Sequence, residues 1–170
     1  GTYESIEDFI QDAKDNPGKI TVGGTGSLGM DEMTVFMLSE AAEVDLNFVP
    51  MEGAGEMHAG VLGGHLDAMV DEFGPTKSLY EDGSIVPLVV FAEERLEDFP
   101  DVPTTVELGW NLTDGNERGF YIRSDVDPEI IKVLEEAMKK AYESEDYQKY
   151  EKDSYLHLRE GWLNSEDFTK

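Results

Sequence analysis

Apolar residues in this chain recur at two spacings, that of short strands and that of helices with one buried face. Ser5-Ile6-Glu7-Asp8 is a capping-box pattern, and Asn16-Pro17-Gly18 ends the helix that it predicts. The residues that share one face of this helix are Ile6, Phe9, Ile10 and Ala13. Short apolar runs predict strands at residues 20–23, 46–49, 66–70, 85–91, 119–123 and 156–158. Helical spacing and turn signals predict further helices at residues 30–41, 55–62, 76–80, 106–108, 128–141 and 146–152, and from Ser165 onward.

Strands and helices alternate in this order, and the alternation predicts an α/β fold with a mainly parallel, three-layer sheet. Pro50 is expected to close the second strand. The apolar residues that predict the second helix are Met30, Met33, Phe36, Met37 and Ala41. Residues 111–118 are polar and predict a linker. Beyond them Pro128 stands where a first-turn proline is tolerated, and the long amphipathic helix that follows needs an apolar surface to cover.

The length of 170 residues allows one domain with a core, or one domain and part of another. Hydrophobic residues make up 39% of the chain and charged residues 30%, which is typical of a globular protein. No apolar run approaches the roughly 20 residues that span a bilayer, so no direct membrane insertion is expected. The chain opens on Gly1-Thr2-Tyr3-Glu4 without a visible signal peptide, which excludes neither export nor trimming.

The charge balance restricts the possible partners. Lysine and arginine number 13 against 38 acidic residues, for a formal net charge of -25, and this excess of acid argues against nucleic acids and anionic membranes. The acidic surface suits either a high-salt habitat or a basic partner. A small anion approaches against this field, so a site for one needs a local concentration of donors. The absence of cysteine excludes disulfides, thiolate catalysis and cysteine-based zinc sites.

The most informative motif is a glycine-rich turn between the first strand and the second helix. Its candidate binding residues are Gly24, Thr25, Gly26, Ser27 and Gly29. Such a turn lets the backbone approach a ligand, directs free amides outward, and places them at a positive helix end. The spacing also matches the dinucleotide fingerprint of a Rossmann fold, with Glu52 placed to hold a ribose. A tight turn without any ligand is the third interpretation.

A second glycine-rich loop, Glu52-Gly53-Ala54-Gly55, follows the next strand and precedes a helix, which makes Gly53 and Ala54 further binding candidates. Two such loops at neighbouring strand ends would converge on one crevice. Asp71, at the carboxyl end of the third strand, is expected to face this crevice and contact polar parts of a ligand. Its role in a metal site or in acid–base chemistry together with Asp67 and Glu72 is the weaker alternative.

No catalytic residue is predicted. Ser27 lacks a glycine at the minus-two position, where Thr25 stands, so it does not fit a nucleophile elbow. The three histidines show no metal-binding spacing, and His58 is expected to lie on a helix surface. We therefore expect neither a metal nor a cofactor.

In its order of motifs the chain resembles the tripartite tricarboxylate transporter receptors, the TctC or Bug family of extracytoplasmic solute-binding proteins. The resemblance covers about residues 3–170. The segments that carry it are Asn16-Pro17-Gly18-Lys19-Ile20, the turn from Gly24 to Gly29, Val49-Pro50-Met51-Glu52-Gly53-Ala54-Gly55, Leu62-Gly63-Gly64-His65-Leu66-Asp67 and Phe99-Pro100-Asp101-Val102-Pro103-Thr104.

This resemblance implies a periplasmic-binding-protein-like receptor that closes two lobes on a small carboxylate and delivers it to the membrane permease subunits of a tripartite transporter. It implies that residues 3–118 form lobe two and that residues 119–170 return to lobe one, which would be incomplete here. It also implies an extracytoplasmic location, with the signal peptide outside this chain. The family pattern of glycine, serine and, three residues after the serine, histidine is replaced by Leu28, Gly29 and Glu32.

Two hypotheses follow from the sequence. The first is a solute-binding lobe without catalysis, in which the glycine turn binds the carboxylate. The second is a Rossmann-type dinucleotide-dependent enzyme that uses the turn from Gly24 to Gly29. The second is weaker because the chain offers no plausible proton-transfer pair and because the later motifs fit the receptor.

Overall fold

The computed structural model describes residues 3–113, 115, 118–158 and 161–168, and the chain divides into two compact units, Gly1–Asn116 and Glu117–Lys170. The first unit contains α1 (Ile6–Asp15), β1 (Thr21–Thr25), α2 (Met30–Ala42), β2 (Asn47–Met51), α3 (Ala54–Leu62), β3 (Ala68–Met69) and α4 (Phe73–Glu81). The second contains α5 (Pro128–Tyr142), α6 (Glu145–Asp153), a 3₁₀ turn (Leu156–Leu158) and α7 (Ser165–Phe168). No described helix is long and apolar enough to cross a membrane.

The strands form a parallel sheet in the order β2-β1-β3, so the predicted α/β fold with a parallel sheet is confirmed. Thr25 at the end of β1 is the register partner of Met51 at the end of β2. The chain leaves β1 toward one neighbour and later returns to pair on the other side. In sheets of this kind, ligands bind outside the carboxyl ends of the strands at the point where the order reverses, which here lies between β1 and β3.

Helices cover both faces of the sheet. On one face, Val22 joins a buried cluster with the apolar side of α1 and with Val35 and Ala42 of α2. On the other face, a Cβ added at Gly23 would lie 2.6 Å from Leu66 Cδ1 and 3.3 Å from Met57 Cγ of α3. Because side chains alternate along a strand, successive residues of β1 contact opposite helical layers.

The first helix forms as its sequence predicts. Ser5 is the N-cap, and its hydroxyl accepts a hydrogen bond of 3.1 Å from the Asp8 amide. The buried residues are Ile6, Phe9, Ile10 and Ala13. The Tyr3 hydroxyl donates to Asp12 Oδ2 at 2.7 Å, and burial together with this acceptor raises the pKa of Tyr3 far above its usual range.

The second helix is confirmed, but the residues whose spacing predicts it do not form its buried face. The buried residues of α2 are Thr34, Val35, Leu38 and Ala42. Met30, Met33 and Phe36 are instead 50%, 53% and 59% exposed. The helix is apolar on both sides, so periodicity alone does not select the side that packs. The sheet accepts the side with smaller residues, because α2 lies close to Gly24 of β1.

The prediction that Pro50 ends the second strand is wrong, because this residue lies inside β2 opposite Gly24. The strand is at the edge of the sheet, where a missing amide donor costs no ladder hydrogen bond.

Three predicted strands and one predicted helix are wrong. In the run 85–91 only Val90 pairs, through a single bridge to Thr104, because the segment opposite contains prolines that lack amide donors. Residues 119–123 form neither a strand nor a helix, residues 156–158 form a 3₁₀ turn, and residues 106–108 lie in hydrogen-bonded turns.

The proline-marked segment at residues 99–105 is a packing element. Phe99 is 2% exposed, and Thr104 and Thr105 are fully buried. The Thr104 amide donates to Glu107 Oε2 at 3.0 Å, and the Glu107 amide donates to Thr104 Oγ1 at 3.1 Å. The Thr104 amide and Arg95 hold the pKa of Glu107 below its usual value. These bonds fix the turn that carries the buried threonines.

Gly24→Ala should destabilise the fold. A Cβ at Gly24 would lie 2.6 Å from Asp31 Cβ and 2.6 Å from Phe48 Cε2, so α2 or the ring has to move. We expect a loss of about 1–3 kcal/mol in the free energy of unfolding, measured by urea denaturation.

Gly55→Ala is the matched control, because nothing lies within 4 Å of a Cβ there and helix propensity favours alanine. Equal stabilities for Gly24→Ala and the native protein would show that the close approach at β1 is not a constraint.

Candidate functional site

The two glycine-rich turns lie side by side at the carboxyl edge of the sheet. Thr25 and Met51 are register partners, and the Gly26 amide donates to the Met51 carbonyl at 3.0 Å. Gly29 is the N-cap of α2 and Gly53 is the N-cap of α3. Two helix N-termini, with free first-turn amides and partial positive charge, therefore start at one edge of the sheet, on opposite faces.

Glycine occupies these positions in the two turns for different structural reasons. Gly24 is required by packing rather than by access for a ligand, since α2 and Phe48 occupy the space beside it. Gly26 has φ of 72°, a left-handed conformation that favours glycine. A Cβ added at Gly53 would have no atom within 4 Å, so the space beside this glycine is open. Gly29 is exposed.

Thr25, a predicted binding residue, already has a partner. Its amide and its hydroxyl both donate to Asp31 Oδ2, each at 2.7 Å. Asp31 lies in the first turn of α2, so this carboxylate stands at the positive end of the helix. By contrast, the hydroxyl of the exposed Ser27 has no partner among the described residues.

A second internal carboxylate closes the same turn. Glu32 Oε2 accepts a hydrogen bond of 2.5 Å from the Leu28 amide. Leu28 has φ of 57° and is 95% exposed, and a left-handed conformation costs a residue with a Cβ about 1 kcal/mol. The bond to Glu32 therefore helps to hold a conformation that favours glycine.

The second turn repeats the same arrangement. Glu56 Oε2 accepts from the Glu52 amide at 3.0 Å. In both turns the third residue of the helix reaches back to the residue before the N-cap glycine: Glu32 to Leu28, and Glu56 to Glu52. We call Glu32 and Glu56 the bracket glutamates.

Asp71, the predicted crevice residue, contacts a residue that the sequence analysis placed on a helix surface. Asp71 Oδ2 lies 2.6 Å from His58 Nε2, and Asp71 Oδ1 accepts from the Glu72 amide at 2.8 Å. The side chains of His58 and Asp71 are only 16% and 14% exposed. The feature of the sequence that could have indicated this contact is the position of His58. It lies one turn into α3, within reach of the carboxyl end of β3.

The alternative role of Asp71 with Asp67 does not fit the geometry. Asp67 Oδ2 accepts from the Thr21 amide at 2.8 Å and from its hydroxyl at 2.7 Å, at the amino end of β1, away from Asp71. Among the described residues no group of three or more histidines and acids could hold a metal ion.

Residues 2–162 match the family described as tripartite tricarboxylate transporter family receptor. The chain belongs to this family. It is 30% identical over 172 residues to a protein encoded in the gbd 5' region of Cupriavidus necator, covering 98% of this chain and 50% of the relative. The family model describes a receptor rather than an enzyme, so the dinucleotide-dependent enzyme is not kept as the alternative.

Solved structures show the same fold. A TctC solute-binding protein from Polaromonas, without ligand, has a TM-score of 0.75 at 24% identity and aligns over 99% of this chain and 57% of its own. MatC from Rhodopseudomonas palustris with bound malate has a TM-score of 0.76 at 22% identity, over 88% of this chain and 51% of its own. The chain thus spans about half the length of the relatives it matches.

Asp31→Ala should loosen the first turn. It removes the acceptor of both Thr25 donors and an acid from the start of α2, which we expect to cost about 1–2 kcal/mol in the free energy of unfolding. Hydrogen exchange of the Thr25 amide should accelerate at least tenfold.

Glu40→Ala is the control on the same helix, since Glu40 is exposed and lies near the negative helix end. It should change stability by less than about 0.5 kcal/mol. Unchanged exchange at Thr25 in Asp31→Ala would contradict the assigned bond.

Proposed function

We propose that the chain forms most of one lobe of an extracytoplasmic receptor that binds a small carboxylate and delivers it to the membrane permease subunits of a tripartite transporter. The observation that carries the proposal is the pair of helix N-termini at the carboxyl edge of one parallel sheet. Amides at two such ends favour an anion between them. The fold likeness to MatC, whose structure contains malate, supports the same ligand class.

Within this proposal, residues 3–118 are lobe two, and residues 119–170 are the returning segment of lobe one. The apolar face of α5 supports an origin in a larger core, because Ile130, Val133 and Leu134 are 52%, 64% and 41% exposed. Residues of this kind are normally covered in a folded protein. The chain's span of about half its relatives agrees with a second lobe outside it.

The proposed ligand-binding residues differ in how accessible they are to a ligand. Ser27 and Gly29 are exposed, the space beside Gly53 is open, and Ala54 is partly buried at the start of α3. Gly24, Thr25 and Gly26 frame the first turn through packing, through Asp31 and through the bond to Met51. Asp71 acts through His58, because both of its oxygens have partners in the chain.

The proposal is tested by calorimetry with the complete gene product that carries this chain. We expect a dissociation constant of micromolar order or lower for at least one member of a carboxylate panel, and no heat with nicotinamide or flavin dinucleotides. A folded protein that binds no mono-, di- or tricarboxylate would overturn it.

Gly53→Val should lower the affinity for the carboxylate at least tenfold, because the new side chain would occupy the open space at the start of α3. Ser144→Val changes the N-cap of α6 instead and should leave affinity unaltered. Circular dichroism of both variants checks that they remain folded. Equal affinity of Gly53→Val and the native protein would place the ligand elsewhere.

A further inference from the structure

The tripeptide Asn111-Leu112-Thr113 is an acceptor pattern for N-linked glycosylation, in which asparagine is followed by any residue except proline and then by serine or threonine. Asn111 is the only one of the five asparagines in the sequence that has a hydroxyl residue two positions later. A pattern of three residues often arises by chance. Its meaning therefore depends on how the fold presents the asparagine and the threonine.

The turn that carries the tripeptide is anchored to the body of the first unit. The Trp110 amide donates to the Thr105 carbonyl at 2.9 Å, and the Thr105 hydroxyl donates to the Leu112 carbonyl. Thr105 is fully buried, and Trp110 packs against the apolar core. The bonds thus hold the backbone on both sides of Asn111, while the side chains of Asn111 and Thr113 are exposed to solvent.

The two exposed side chains are also chemically available. Neither Asn111 nor Thr113 has a side-chain hydrogen bond to another described residue. Two other asparagines of the chain differ in this respect, because Asn16 Nδ2 donates to Asp12 Oδ1 at 2.8 Å and Asn164 Nδ2 donates to Asp167 Oδ2 at 2.7 Å. A side-chain nitrogen that already serves a helix end is not free to receive a sugar, whereas the nitrogen of Asn111 is.

The backbone of Asn111 has φ of 43°, and this accounts for only part of the pattern. Asparagine tolerates the left-handed region better than other residues with a Cβ, so the turn by itself favours asparagine at this position. The turn gives no such reason for Thr113, whose hydroxyl lies in solvent and contributes no bond to the described structure. A transferase that recognises the acceptor by its asparagine and its hydroxyl gives a reason for both residues.

We propose that Asn111 is N-glycosylated, with a lipid-linked oligosaccharide as the sugar donor. Nδ2 of Asn111 forms a bond to the anomeric carbon of the first sugar, and the bond between that carbon and the lipid phosphate breaks. The phosphate leaves with the electron pair, and the amide nitrogen gives up one proton to a base of the transferase. The sugar is bulky and hydrophilic, and an exposed side chain can carry it without displacing a packed neighbour.

The inference rests on the extracytoplasmic location within the function proposed above, because this transfer takes place on that side of the membrane. The test uses the complete gene product, purified from the organism that encodes it, after cell fractionation has established where the protein lies. Trypsin releases residues 96–118 as one peptide, since no lysine or arginine stands between Arg95 and Arg118. Mass spectrometry should find this peptide with an added glycan, and fragment ions should assign the glycan to Asn111 rather than to Asn116.

The two possible failures of this test are distinguishable. An exported protein whose peptide is found only in the unmodified form overturns the inference and leaves the proposed function standing. A protein that remains inside the cell contradicts the proposed function, and the inference fails with it.

Variants produced in the same organism test whether the tripeptide directs the modification. Thr113→Ala keeps the asparagine and should abolish the glycan, whereas Thr113→Ser keeps the hydroxyl and should retain it. Asn111→Gly, which suits the left-handed backbone, should also abolish it. Asn47→Gln is the matched control, because Asn47 is exposed but is followed two positions later by Val49, and it should leave the glycan in place.

A glycan that persists on Asn111 in Thr113→Ala would overturn the assignment of an N-linked acceptor. Thermal unfolding midpoints show whether each variant is folded. Thr113→Ala should be within about 2 °C of the native protein, since the Thr113 side chain is exposed and replacing such a residue has little effect on stability.

Discussion

The close approach of helices to both faces of β1 is the constraint on which the rest of the first unit depends. Gly23 and Gly24 have no side chains, so α3 and Leu66 reach one face and α2 reaches the other. Each face then becomes a packed layer, and the helices begin where the strands end. Both helix N-termini lie at one edge because β1 and β2 are parallel and each is followed directly by a helix, and the glycines let those helices pack closely on the central strand.

Sequence reasoning succeeded where a local signal decides the structure. Ser5 caps α1 and Pro128 occupies the first turn of α5, and both helices form with the predicted starts. It failed where the outcome depends on a distant partner. The apolar run at residues 85–91 has the composition of a strand, but the segment that faces Val90 is rich in proline and leaves one bridge. The segment that pairs with Val90 cannot be inferred from the run itself.

The same distinction applies to the candidate site. The two turns were visible in the sequence because glycines, strand ends and helix starts are local features. The bond between His58 and Asp71 joins residues 13 positions apart across α3 and β3, so composition and periodicity carry no trace of it. The bracket glutamates lie between these cases. Glutamate as the third residue of a helix is a recognisable cap, but whether it reaches back or points away is a choice of rotamer.

The net charge of -25 and the bracket glutamates act on a solute over different distances. Salt screens the field of the surface acids, with a Debye length of about 8 Å at physiological ionic strength and about 3 Å at 1 M. A carboxylate can therefore reach this protein in concentrated salt in spite of the surface charge. Salt has little effect within a closed site, where charges are separated by one hydrogen bond. The surface acids thus determine the conditions under which a solute arrives, whereas Glu32 and Glu56 act at the two turns themselves, where each accepts a backbone hydrogen bond.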